Sequence, residues 1–112
     1  MRIAIPLSQG LLSPHFGHCE EFAIVEVNPQ QKAILTSTRL PSPEHAPGFL
    51  PRWLRELEVN LVIVGGMGPR AAALFEQASI EVVTGAPTGT PEAIVQDYLK
   101  GVLATGPNVC DH

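Results

Sequence analysis

Hydrophobic positions fall in short runs that alternate between strand-like and helix-like patterns. Apolar runs bounded by glycine or turn residues predict strands over Arg2–Leu7, Phe22–Val27, Lys32–Thr38, Asn60–Val64 and Ile80–Val83. Helical spacing of apolar residues and prolines in first turns predict helices over Phe49–Leu57, Pro69–Ala78 and from Thr90 to about Lys100.

The order of these elements predicts an α/β fold. The second and third strands are joined by the turn sequence Asn28-Pro29-Gln30-Gln31, which favours a hairpin. The second half alternates strand and helix, which is typical of parallel strands with right-handed crossovers. We therefore expect one mixed five-stranded sheet, with the hairpin at one side and about three helices packed on it.

Length and composition narrow the class of protein. A chain of 112 residues fits one domain, which we place at residues 1–112, and 45% hydrophobic content indicates a globular core. A net charge of −4 argues against nucleic acid as a partner. No run reaches the roughly 20 apolar residues of a membrane span, and the N-terminus lacks a signal-peptide pattern. We expect a cytoplasmic protein with no membrane partner, either monomeric or weakly self-associating.

Three glycine-containing loops follow the predicted parallel strands: Ser8–Glu21, Gly65–Gly68 and Gly85–Thr90. In open α/β sheets, ligands bind in the crevice at the carboxyl ends of the strands. These loops are therefore expected to converge and to form the ligand site.

The first loop carries His15, His18 and Cys19 within the sequence SPHFGHC. Imidazole nitrogen and thiolate together suit zinc, copper(I) and iron–sulfur clusters. Cys110 and His112 could add two donors if the tail, residues 105–112, folds back. A permanent cluster would need four cysteines and the chain has 2, so the pattern indicates a partial ligand set. Alternatively, the histidines only hydrogen-bond loop carbonyls and Cys19 is a small buried side chain.

The same loops offer two other kinds of chemistry. Cys19 could be a nucleophile activated by a neighbouring histidine, although no orienting acid is evident. The second loop matches part of the dinucleotide-binding fingerprint, but no acid follows for a ribose. The start of the helix after that loop also favours an anion. We predict that the crevice backbone binds a cofactor through Gly65, Gly66, Met67, Gly68 and Gly85.

Four segments of the chain form a recognisable combination: SPHFGHC, VNLVIVGGMGPRA, the following VVTGA and the final YLKGVL. In this combination the chain resembles the dinitrogenase iron–molybdenum cofactor biosynthesis family. The resemblance extends from Arg2 to the end of the chain. It implies a three-layer, ribonuclease-H-like fold with a mixed five-stranded sheet. Members often carry His-Gly before the first helix, where this chain has His45-Ala46-Pro47-Gly48.

The resemblance also implies a function. It implies carriage of a metal cluster, transiently bound, of the iron–molybdenum, iron–sulfur or molybdenum–copper–sulfur type. The partners would be metallocofactor assembly proteins, and the chain would not be an enzyme. The alternative is a small regulatory or scaffold domain that binds an anionic metabolite or a protein partner without metal.

Overall fold

The fold is a mixed sheet with helices on both faces. The computed structural model describes residues 1–16, 19–43 and 48–107. The strands are β1 (Arg2–Ser8), β2 (Leu11–Leu12), β3 (Glu21–Asn28), β4 (Ala33–Pro41), β5 (Leu61–Ile63) and β6 (Glu81–Val83). The helices are α1 (Phe49–Glu56), α2 (Pro69–Gln77) and α3 (Pro91–Lys100).

The strand order is β4-β3-β1-β5-β6, with β2 paired to β1 away from this path. The strands β4, β3 and β1 are antiparallel neighbours, whereas β1, β5 and β6 run parallel. The mixed sheet, the hairpin at one side and the three helices expected from the sequence are confirmed.

One strand was missed in the sequence analysis, and in the described part of the chain the sheet has six strands rather than five. The predicted loop Ser8–Glu21 in fact begins with a tight hairpin, in which Leu7 pairs with Leu12 and Ser8 with Leu11. Gln9 and Gly10 both have positive φ, 54° and 82°. Such a turn matches the twist of two adjoining antiparallel strands. It folds the chain back onto β1 before the candidate metal loop begins.

Two apolar layers lie on opposite faces of the sheet. Along β1, Ile3, Ile5 and Leu7 face the α3 layer, while Ala4 belongs to the layer under α1 and α2. This alternation is that of a strand buried on both faces. Trp53 on α1 packs edge-on against Phe22 with ring centroids 5.5 Å apart. The arrangement has three layers, with α3 on one side and α1 and α2 on the other.

Local signals explain the bounds of α3. The hydroxyl of Thr90 accepts a hydrogen bond from the backbone N–H of Ala93, as an N-cap should, and Pro91 occupies the first turn. The helix ends at Gly101 with φ of 74°. Within the described part of the chain, no helix has the length and apolar character needed to cross a membrane.

The segment after α3 returns along the α3 face of the sheet. Leu103 packs against the core cluster on that face. Gly106 then donates a backbone hydrogen bond of 2.7 Å to the carbonyl of Gly85, just beyond β6. The chain is thus tied to the sheet at Gly106, inside the stretch that was expected to be an irregular tail.

Candidate functional site

Three loops meet at the carboxyl edge of β1, β5 and β6, as the sequence predicts. The first and second loops are joined by two hydrogen bonds, from Phe16 N–H to Gly66 O at 3.0 Å and from Gly65 N–H to Ser13 O at 3.4 Å. The second and third are joined by a bond from Gly85 N–H to Gly65 O at 2.8 Å. The backbones of the three loops therefore form one connected framework.

The first loop holds His15 at the surface between two buried anchors. Ser13 is only 1% exposed, and its hydroxyl donates to the carbonyl oxygen of His15 at 2.8 Å. Phe16 is buried and stacks edge-on with Phe22 and Phe75, at centroid distances of 5.9 and 5.3 Å. His15 itself is exposed. The anchors fix the backbone of the loop, so this imidazole is presented to solvent from a defined position.

Cys19 lies where this loop leads into β3 and is a free thiol. It is half-buried beside the α1 and α2 layer, and its sulfur lies 3.8 Å from the hydroxyl of Ser42. Burial raises the pKa of the Cys19 thiol, and the hydrogen bond between Cys19 and Ser42 together with a backbone hydrogen bond offsets this only in part. In the absence of a metal, Cys19 is therefore protonated at neutral pH. This disfavours the activated-nucleophile interpretation, because the thiolate is the reactive form.

The second loop approaches the first so closely that glycine is required. A Cβ on Gly65 would lie 2.9 Å from the Cα of Pro14, closer than such atoms pack. Met67 is 1% exposed and belongs to the core cluster under α1 and α2. Its side chain thus contributes to packing. Gly68 is different, because a Cβ there would meet nothing within 4 Å.

The helix α2 starts directly after Gly68 and offers backbone donors. Pro69 opens the helix, and its N-cap residue, Gly68, has no side chain that could cap it. Among the described residues, the backbone N–H groups of Arg70 and Ala71 have no hydrogen-bond partner. Such a helix start carries a partial positive charge and favours an anionic group. The side chain of Arg70 is exposed.

The third loop is held from both sides. Gly85 has φ of 77°, and a Cβ on it would lie 1.9 Å from the carbonyl oxygen of Gly106. On the other side, Leu12 N–H donates to Gly89 O at 2.9 Å. Gly85 is therefore needed for its backbone conformation and for the approach of the C-terminal segment. The predicted contact of Gly85 with a cofactor stays a prediction.

Of the five predicted metal ligands, the structure describes His15 and Cys19. His18, Cys110 and His112 lie outside the described residues, as does His45. Residues 1–16, 19–43 and 48–107 contain no group of three or more His, Cys, Asp or Glu side chains placed to hold a metal ion. The ligand set therefore stays a prediction, and the described part supplies at most two of its donors.

Sequence reasoning missed several residues that shape this region. Ser13, Phe16 and Ser42 position His15 and Cys19, and Gly106 ties the C-terminal segment to the third loop. Ser13 and Phe16 stand inside the SPHFGHC loop, where an apolar residue among polar ones signals an anchor. Ser42 and Gly106 carry no such signal, because only the tertiary fold brings them to the site.

Solved structures share this architecture. The crystal structure of a protein named PH0822 has a TM-score of 0.85 with 27% sequence identity, covering 94% of this chain and 94% of that one. The apo form of the orange protein from Desulfovibrio gigas has a TM-score of 0.69 with 22% identity, covering 96% of this chain and 93% of that one. At the latter identity the likeness establishes the fold alone. The wider ribonuclease-H-like grouping stays a prediction.

Sequence relatives identify the family. An uncharacterized protein of Methanocaldococcus jannaschii is 34% identical over 106 residues, covering 92% of this chain and 89% of that protein. The family model described as "Dinitrogenase iron-molybdenum cofactor" matches residues 1–101. This match relates the chain to the handling of iron–molybdenum-type metal clusters and confirms the resemblance seen in the sequence. The chain belongs to the dinitrogenase iron-molybdenum cofactor family.

Proposed function

We propose that residues 1–112 form one domain that binds a metal cluster transiently and delivers it to metallocofactor assembly proteins in the cytoplasm. The cluster, of the iron–molybdenum, iron–sulfur or molybdenum–copper–sulfur type, is cargo, and the chain catalyses no reaction on it. One observation carries the proposal. The loop that bears His15 is hydrogen-bonded at Ser13 and Phe16 to the glycine loop that leads into α2, which supports a site that combines donors from the first loop with the backbone of the second.

The donor set favours carriage over permanent binding. His15 is exposed and Cys19 is half-buried, so both can reach a ligand that arrives from solvent. His18, Cys110 and His112 complete the proposed set. The chain has 2 cysteines, so it cannot supply the four thiolates that usually coordinate a permanently bound iron–sulfur cluster. A cluster that keeps some of its own ligands would therefore bind and leave.

The backbone of the second loop supports the same function. Thiometallate clusters are anionic, and the N–H groups of Arg70 and Ala71 are oriented as donors at the start of α2. Together, Gly65, Gly66, Met67, Gly68 and Gly85 would form the floor and wall of the crevice. A Cβ on Gly68 would meet nothing within 4 Å, which leaves room for a ligand at this position.

Cluster uptake tests the donors. The protein, prepared without air, is titrated with tetrathiomolybdate and either copper(I) or iron(II), and the charge-transfer absorption is recorded. We expect a coloured complex that the triple variant His15→Ala, His18→Ala, Cys19→Ala does not form. A triple variant of exposed residues in the β3–β4 turn, Gln30→Ala, Gln31→Ala and Lys32→Ala, is the matched control and should bind normally. Unchanged uptake by the triple variant would exclude this loop as the ligand site.

A second variant tests the crevice independently of the donors. Gly68→Val keeps an ordinary backbone, since Gly68 has φ of −64° and ψ of 155°, but fills the open space beside α2. Uptake should weaken, whereas Ala73→Val on the exposed side of α2 should have no effect. A wild-type protein with no spectral change would instead support the alternative, a regulatory or scaffold domain that binds an anionic metabolite or protein partner without metal.

A further inference from the structure

The outer edge of β6 has backbone groups available for pairing. β6 is the last strand in the sheet order. Glu81 N–H donates to Asn60 O at 3.0 Å and Val83 O accepts from Val64 N–H at 2.9 Å, so the backbones of Glu81 and Val83 face β5. Because successive residues of a strand face opposite sides, the N–H and C=O of Val82 point to the outer edge. Among the described residues, no strand pairs with that edge.

A groove runs between this edge and α2. Its volume is about 500 Å³, and it is lined by Ala72, Glu76, Ser79, Ile80, Glu81 and Val82. An unpaired strand edge flanked by a helix is the arrangement that binds extended peptides by strand addition. Main-chain hydrogen bonds then supply affinity, and the side chains lining the groove supply specificity.

Carboxylates on the two faces of the sheet beside the outer edge of β6 select the occupant. Glu76 on α2 and Glu81 on β6 are both exposed, and no lysine or arginine is among the lining residues. Val82 packs toward the α1 and α2 layer, so the neighbouring Glu81 side chain projects from the opposite face of the sheet. An added strand also alternates its side chains. Two consecutive basic residues on the added strand would therefore point to opposite faces of the sheet, one toward the carboxylate of Glu76 and the other toward that of Glu81.

We infer that the groove between α2 and β6 binds an extended, basic segment of a partner protein as an additional strand of the sheet. A second copy of this chain is disfavoured, because symmetric pairing at β6 would bring Glu76 and Glu81 toward their own counterparts. The last residues of this chain are also disfavoured, since Asp111 adds a negative charge to a groove that is already acidic.

The groove reaches the candidate cluster site only at Ala72, which follows Ala71 at the start of α2, and extends from there toward the start of β6. Glu81 pairs with Leu61 at the start of β5, whereas the cluster loops follow the carboxyl ends of the same strands. A partner could thus dock beside α2 without covering His15. The inference does not depend on the identity of the cargo, or on whether the protein carries a metal.

Binding is tested with the full chain labelled with nitrogen-15 and the synthetic peptide acetyl-Thr-Val-Lys-Lys-Val-Thr-amide. We expect the largest amide shifts along β6 and the facing turn of α2, with slower hydrogen exchange at Val82. A peptide N-methylated at alternate amides keeps both lysines but cannot complete the strand ladder. It should bind about tenfold more weakly, as expected when about one net hydrogen bond is lost.

Variants test the charge selection. Glu76→Gln together with Glu81→Gln should weaken binding about five- to tenfold at low salt, since each exposed ion pair contributes little alone. Glu56→Gln, an exposed glutamate at the end of α1, is the matched control and should leave the affinity unchanged. Equal affinity for the N-methylated peptide would reduce the interaction to nonspecific charge attraction and overturn the inference. Shifts confined to another surface, or no binding at millimolar peptide, would also overturn it.

Discussion

At the scale of single residues, Gly85 and Gly101 separate two reasons for using glycine. Both have left-handed backbones, with φ of 77° and 74°. A Cβ on Gly101 meets nothing within 4 Å, whereas one on Gly85 would overlap the carbonyl oxygen of Gly106. A side chain at position 101 would therefore cause only backbone strain, whereas one at position 85 would cause the same strain and also clash with the backbone of Gly106.

This difference predicts unequal costs for the same substitution. Gly101→Ala should lower the free energy of unfolding by about 1–2 kcal/mol, the cost of a left-handed alanine. Gly85→Ala should cost about 1–3 kcal/mol more, because the added methyl group must displace the C-terminal segment. Urea denaturation of both variants measures the difference. Equal costs would mean that Gly106 is not held against Gly85.

Cys19 provides a second prediction at this scale. Since burial raises the pKa of its thiol above the ordinary 9.0, the thiolate fraction at neutral pH is smaller than in a free cysteine. Iodoacetamide should therefore modify Cys19 of the metal-free protein more slowly than the same residue in denaturant, and the rate should still rise above pH 9.0. Peptide mass spectrometry separates Cys19 from Cys110. Faster alkylation in the native state would revive the thiol-enzyme interpretation.

The residue types in the first loop predict donor chemistry from sequence alone, but not the position of each side chain. Whether Met67 projects into the crevice or packs in the core cannot be decided from its place in a glycine loop. In the structure the Met67 side chain is 1% exposed, because it fills space in the core cluster under α1 and α2. Sequence likewise cannot show that Ser42, from the end of the hairpin, lies beside Cys19.

At the scale of secondary structure, periodicity predicted the five longer strands and the three helices. It missed β2, since a strand of two residues has no period and Gln9-Gly10 is a less familiar turn pair than Asn-Gly. Helix starts at Pro69 and Thr90 were predicted because their caps are local in sequence. The end of α1 had no such signal, because a glutamate occupies the left-handed position after it.

That helix end gives the prediction at this scale. Glu58 has φ of 62°, a conformation that costs a non-glycine residue about 1–2 kcal/mol, and it donates a backbone hydrogen bond to Arg55 O. Glu58→Gly should therefore raise the free energy of unfolding by about 0.5–1 kcal/mol after the entropy of glycine is subtracted. Glu58→Ala removes the same carboxylate but keeps the strain, so it serves as the control. If both variants have the same stability, strain at this position does not limit α1.

At the scale of the whole molecule, the convergence of the three loops could be predicted from topology. Parallel strands bring their carboxyl ends to one edge, so β5 and β6 deliver Gly65 and Gly85 to the same place, and the chain returns from the β1–β2 hairpin with Ser13 beside Gly65. The return of the chain after α3 could not be predicted, because it depends on Leu103 finding space on the sheet and Gly106 meeting a glycine. This return brings the C-terminal segment to the edge where the cluster is proposed to bind.

The position of Gly106 leads to the prediction at this scale. Cys110 lies four residues beyond Gly106, a distance that an extended chain spans in about 13–14 Å. We predict that residues 107–112 add donors to a bound cluster and withdraw when it is transferred. A chain that ends at Gly106 should therefore bind more weakly and release the cluster faster to a chelator. Its free energy of unfolding should be nearly unchanged, because Leu103 and the Gly106–Gly85 contact are retained.

The donors and the length of the segment can be separated. Cys110→Ser together with His112→Ala in the full chain removes both ligands and leaves the backbone intact. If this double variant releases the cluster as fast as the shortened chain, the side chains account for the effect. If only the shortened chain is faster, the segment slows release by covering the crevice. Identical release from all three proteins would show that the loop bearing His15 and Cys19 acts without the C-terminal residues.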